Sequence, residues 1–191
     1  MRAAPSLLAA TLAALLVSCA GPSEAMPDEK LMQVGDFELI DHDGEPFRLS
    51  SLRGKPVLLF FGFTHCPDAC PTMMSKLAVA YRHAGPEAKE IPVLFVSVDP
   101  RDTPPVLKEY LSYFAIPARG LTGPKEKIDE VVTNFAAHYT ITPGDSEAGP
   151  YVDHTLTLYL LDKEGDVREL FDPTSDPEAI AAEMKKELER A

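Results

Sequence analysis

Three stretches of the chain are almost wholly apolar and short: VLLFFGF from Val57 to Phe63, IPVLFVSV from Ile91 to Val98, and TLTLYLL from Thr155 to Leu161. Runs of this length without alternation read as strands covered on both faces. A shorter pair, Phe37 to Ile40 and Pro46 to Leu49, flanks Asp41-His42-Asp43-Gly44-Glu45, and Asp-Gly in a polar gap predicts an N-terminal β-hairpin. Val167 to Phe171 follows the turn Asp162-Lys163-Glu164-Gly165-Asp166 and predicts a partner strand for the run before it. A brief strand is expected at Gly120 to Thr122. Between these runs the apolar positions recur at helical spacing. Met74, Leu77, Ala78 and Tyr81 fall on one face of a segment opened by Pro71. Leu107, Tyr110, Leu111 and Phe114 do so within Pro105 to Ala115, and Ile128, Val131, Val132, Phe135 and Ala136 within Pro124 to His138. Asp176 as N-cap and Pro177 at the first position start a last helix, to Arg190. Thr140 to Val152, rich in Pro, Gly and acids, reads as a long loop.

Strand and helix signals in this order predict an α/β domain, with a central mixed sheet and helices on both faces. A thioredoxin-like fold fits it. The central strand drives into THCPDACP, so that Cys66 and Cys70 stand at a strand-to-helix junction. Pro71 suits the first helical position, which places Cys70 at the N-cap and Cys66 in the loop before it. A helix N-terminus carries partial positive charge and unpaired N–H groups, and both favour thiolate, the form that attacks disulfides and binds metals.

The 191 residues suffice for one targeting segment and one domain, and the third cysteine belongs to the former. Residues 1–18 carry Arg2 and then an apolar run from Leu7 to Val17, too short to span a membrane and patterned as an export signal. The end, Leu16-Val17-Ser18-Cys19, resembles the lipobox of bacterial lipoproteins, which implies a lipid-modified Cys19 as mature N-terminus, held at the membrane outside the cytoplasm. Residues 19–31 are polar and proline-containing and read as a flexible tether, and residues 32–191 as the domain. A net charge of −12 argues against nucleic acid as a partner.

FGFTHCPDACP, then FVSVDPRDTP, then VDHTLTLYLLD together resemble the SCO/SenC family, over about Val34 to Phe171. The resemblance implies a thioredoxin-fold copper chaperone that serves the CuA centre in subunit II of cytochrome c oxidase, with a second copper chaperone as a further partner. It implies copper as cargo, Cu(I) or Cu(II), with Cys66, Cys70 and His154 as the ligands. The residue chemistry agrees: thiolates favour Cu(I), and structural zinc would want a fourth ligand. His154 ends the long loop, where it can be aimed at a site distant in sequence. Asp68, between the cysteines, Asp99, at the end of a strand, and Asp153 are candidates to support those ligands. His65 reads as a supporting or solvent-facing group, and Met74 as core.

Two enzyme readings compete. A thiol–disulfide oxidoreductase would use Cys66 and Cys70 as its redox pair on the same oxidase subunit, although thioredoxin-type sites are CxxC and this is CxxxC with a histidine. A peroxidase would need a Thr and an Arg arranged around one cysteine, which FTHCPDACP does not clearly offer.

Overall fold

The computed structural model describes residues 30–144 and 150–190. The signal, Cys19 and most of the tether lie outside them. Strands β1 (Glu38–Asp41), β2 (Pro46–Arg48), β3 (Val57–Gly62) and β4 (Val93–Ser97) are followed by β5 (Ala118–Thr122), β6 (Tyr139–Thr142), β7 (Tyr151–His154), β8 (Leu158–Leu161) and β9 (Val167–Phe171). Helices are α1 (Ala69–Ala84), α2 (Pro104–Ser112), α3 (Lys125–Asn134) and α4 (Pro177–Glu189). Among these residues no helix is long and apolar enough to cross a membrane.

A seven-stranded sheet runs in the order β2-β1-β5-β4-β3-β8-β9. The middle pairs, β3 with β4 and β4 with β5, are parallel, and the rest are antiparallel. The expected mixed sheet and hairpin are both present. The three apolar runs pair side by side at the centre, Phe60 against Phe95 on one side and Leu158 on the other. Alternate residues of these strands feed two cores. Leu58, Phe60, Phe95 and Leu160 pack under α1, α2 and α4, whereas Leu59, Phe61, Val96 and Tyr159 pack with Ile128, Val131 and Val132 of α3. Every residue of β3 is buried, as a strand covered on both faces requires.

Four local expectations are corrected. Helix α1 begins at Ala69 with Asp68 at the N-cap, so Cys70 lies inside the first turn and Pro71 follows it there, where a missing N–H is still tolerated. Helix α3 stops at Asn134 rather than His138, because Ala136 turns left-handed at φ 49°. The stretch from Thr140 to Val152 is not one loop: β6 and β7 form a separate two-stranded sheet, with Tyr139 opposite His154 and Thr142 opposite Tyr151. Its strands are mostly exposed and broken by polar residues, so no apolar run announced them. Lys30 and Leu31, assigned to the tether by sequence, lie against the start of β9: Leu31 N–H donates to the Val167 carbonyl at 2.9 Å, and the Lys30 ammonium meets Asp166 at 2.6 Å.

Candidate metal centre

The parallel centre of the sheet ends at Gly62, and the chain then turns through Thr64 to Pro67 into α1. The turn closes when Cys66 N–H donates to the Phe63 carbonyl at 3.3 Å. The first amides of a helix lack intrahelical partners. Here the Cys70 N–H finds the Cys66 Sγ at 3.4 Å, so a cysteine sulfur occupies the place of the usual capping oxygen. Asp68 makes no such cap, and its carboxylate instead accepts the Thr72 hydroxyl at 3.1 Å.

His154 arrives from the other sheet as the last residue of β7. Its Nε2 lies 3.7 Å from Cys70 Sγ. Its Nδ1 faces the Thr155 carbonyl at 2.9 Å, and a carbonyl only accepts, so Nδ1 carries the proton and the Nε2 lone pair points at the sulfur. This is the arrangement that orients a metal-binding imidazole. The ring is wedged edge-on between Phe60 and Phe63, with centroids 6.0 and 5.6 Å away. The ligand atoms of Cys66, Cys70 and His154 all lie within 4.8 Å of one another. Both cysteines are free thiols.

Burial sets the charge state of these groups. It pushes the Cys70 thiol far above its ordinary range, with the neighbouring Cys66 and Asp102 adding to the effect and the Phe63 amide working against it. The expectation that the helix N-terminus holds Cys70 as a thiolate therefore fails, since desolvation outweighs the helix field at a side chain with no exposed surface. Burial also lowers His154 below the ordinary histidine value, partly offset by its bond to Thr155. The metal-free centre thus presents a neutral imidazole and a protonated Cys70. Two sulfurs and one imidazole nitrogen form a soft donor set that fits Cu(I).

Asp68 and Asp153 are exposed, the latter on the strand face opposite His154. Asp99 is buried but clasped by the Arg101 guanidinium, at 2.6 Å from Nη2 and 3.0 Å from Nε, which holds its carboxyl below the usual range despite desolvation. Met73 and Met74 are both core. His42, His83 and His138, without partners in the sequence, bond the Gly120 amide, Glu178 and the Thr155 hydroxyl respectively.

Two residues escaped the sequence reading. Gly62 has no room for a side chain: a Cβ there would sit 2.7 Å from the Phe95 ring and 2.9 Å from Cys70 Sγ. Asp102, unmarked within FVSVDPRDTP, is almost fully buried and accepts Thr64 N–H at 2.8 Å, the Thr64 hydroxyl at 2.6 Å and the Ser97 hydroxyl at 2.6 Å. His65, Asp99 and Asp102 also gather within 4.8 Å. Both carboxylates in that group are already occupied by protein donors.

With the geometry in place, comparison with known proteins decides the family. The model of the SCO1/SenC family matches residues 25–189. The chain belongs to the SCO1/SenC family. An SCO2-like protein of Rickettsia felis is 40% identical over 153 residues, covering 79% of this chain and 75% of that protein. The copper-bound structure of ScoI from Bradyrhizobium japonicum superposes with a TM-score of 0.73 at 38% identity, covering 80% of this chain and 98% of that one. A structure of BsSco, described as a member of the Sco family of cytochrome c oxidase assembly proteins with a disulfide switch, superposes with a TM-score of 0.67 at 25% identity, covering 85% of this chain and 98% of that one.

Proposed function

We infer that this protein is a copper chaperone which holds copper through Cys66, Cys70 and His154 and delivers it to the CuA centre of cytochrome c oxidase subunit II. The observation that carries this reading is the His154 imidazole, with its Nε2 lone pair turned to Cys70 Sγ by the bond from Nδ1 to the Thr155 carbonyl. Making or breaking a disulfide needs no such imidazole, and this favours the chaperone over the thiol–disulfide oxidoreductase. The copper-bound ScoI of Bradyrhizobium japonicum and the oxidase assembly role of the family of BsSco support the cargo and the destination.

Copper, as cargo, supplies the positive charge that makes two thiolates stable in a buried place. The protein supplies the rest. Cys70 gives up its proton on binding, His154 enters neutral and needs to lose none, and Phe60 and Phe63 keep water from the imidazole. A Cys66–Cys70 disulfide would remove both thiolate donors, so oxidation releases the metal and reduction readies the site. Export and a lipid on Cys19 would place this chemistry at the extracytoplasmic face of the membrane, in a disulfide-permitting compartment. Replacing Cys19 by Ser is expected to free the protein from the membrane fraction or to leave the signal uncleaved, as intact mass and fractionation would show.

His154→Ala tests the central claim. Loss of a ligand should weaken copper binding by more than the 10–100-fold typical of supporting residues, with thiol–disulfide exchange retained. Oxidase assembly at low copper should fail. Copper competition and thiol redox titrations on the same variant read both. Unchanged copper affinity would reduce His154 to a packing residue, and assembly that survives lost copper would favour the oxidoreductase.

A further inference from the structure

The loop that carries Cys66 is tied to the rest of the domain by a buried carboxylate 38 residues away in sequence. Asp102 stands between the end of β4 and the start of α2, and 1% of its surface is exposed. Its Oδ2 accepts the Thr64 backbone N–H at 2.8 Å and the Ser97 hydroxyl at 2.6 Å, and its Oδ1 accepts the Thr64 hydroxyl at 2.6 Å. Three protein donors thus converge on the two oxygens of one side chain. The neighbouring Arg101 guanidinium gives its hydrogen bonds to Asp99, while its charge also acts on Asp102. The nearest ring nitrogen, His65 Nδ1, is 3.6 Å away on a half-exposed side chain.

We propose that Asp102 is a positioning residue of the metal centre: it clamps Thr64, and through Thr64 the Cys66 loop, against β4, and sets a negative charge near Cys70. The clamp grips both the amide and the hydroxyl of one residue, which fixes where the chain leaves β3 and hence where Cys66 Sγ stands above the α1 N-terminus. The charge favours a bound cation over an empty pair of thiols. This rests on the copper reading above, but the clamp itself does not depend on the metal.

The test uses the reduced full-length chain, with Asp102→Asn, Asp102→Ala, Thr64→Val and the Thr64→Val/Asp102→Ala double variant. Two quantities are read: amide exchange across residues 64–69 in the metal-free protein, and Cu(I) affinity by chelator competition. Asp102→Asn keeps the shape and removes the charge, and is expected to lower Cu(I) affinity by about 10–100-fold. Asp102→Ala and Thr64→Val should both speed exchange at 64–69 and weaken copper. The double variant should be no worse than Asp102→Ala, since both changes remove the same contact. Native exchange in Asp102→Ala, wild-type affinity in Asp102→Asn, or additive losses in the double variant would each overturn the proposal. Thr64→Val keeps the test decisive if the Asp102 variants fail to fold. A wild-type protein that binds no Cu(I) while the exchange results hold would overturn the copper reading and leave the clamp standing.

Discussion

At the scale of single residues, the site is built from a conflict between burial and charge. A buried thiol resists ionisation, so copper must displace the Cys70 proton. At least one proton should therefore leave per copper bound at neutral pH, and apparent affinity should rise about tenfold per pH unit for each proton displaced. Titration in weakly buffered solution at several pH values checks both, and pH-independent affinity from 6.5 to 8 would contradict them. The same shifts bound the stability of the metal-free protein. His154 resists protonation when folded but takes a proton near its ordinary value of 6.5 when unfolded, so stability falls as pH drops below that value. Cys70 keeps its proton when folded but loses it near its ordinary 9.0 when unfolded, so stability also falls as pH rises through 9. Gly62 is the other sensitive residue. Gly62→Ala pushes a methyl into Phe95 and Cys70, and overpacking of this kind costs about 1–3 kcal/mol. Denaturant unfolding should show that loss together with weaker copper binding.

At the scale of elements, the difference between what was legible and what was not follows the range of the interactions. The central strands and α1, α2 and α4 are announced by local signals: continuous apolar runs, helical spacing and prolines near helix starts. CxxxC at the strand-to-helix junction was visible for the same reason. The β6–β7 hairpin was not, because Thr140, Ile141 and Thr142 are exposed and their pairing with Tyr151 to Asp153 is the main sign that they are strand. Asp102 escaped because its role appears only when β3 and β4 lie side by side. That hairpin nevertheless positions His154, the proposed copper ligand. Thr155 braces it: its N–H donates to the His138 carbonyl at 3.0 Å, and its hydroxyl receives the His138 N–H at 3.0 Å. Thr155→Val keeps the carbonyl that orients His154 and removes the hydroxyl. It should cost about 1 kcal/mol and weaken copper less than His154→Ala does. Chemical denaturation beside a copper titration would check this ranking, and a loss equal to that of His154→Ala would show that the brace controls the imidazole.

At the scale of the whole molecule, the three proposed donors come from two separate sheets. Cys66 and Cys70 stand at the end of the seven-stranded sheet, and His154 on the two-stranded one. A copper ion bound to all three would join them, and any ligand that binds only the folded chain stabilises it by mass action. With free copper at 100 times the dissociation constant, the gain is about 2.7 kcal/mol. For a domain of this size that corresponds to a rise of roughly 5–10 °C in thermal midpoint. The reduced protein should show the full rise with Cu(I). The Cys66–Cys70 disulfide form should show little, because neither sulfur remains a thiolate. His154→Ala should show a smaller rise, since the ion then links only the two sulfurs at the start of α1 and leaves the hairpin untied. Calorimetry of the three forms, each with and without Cu(I), separates these cases. Equal rises in the reduced wild type and His154→Ala at equal saturation relative to each dissociation constant are the expected mass-action result, so the comparison must be made at equal free copper. At equal free copper, identical midpoints would mean that the hairpin contributes nothing to holding the metal.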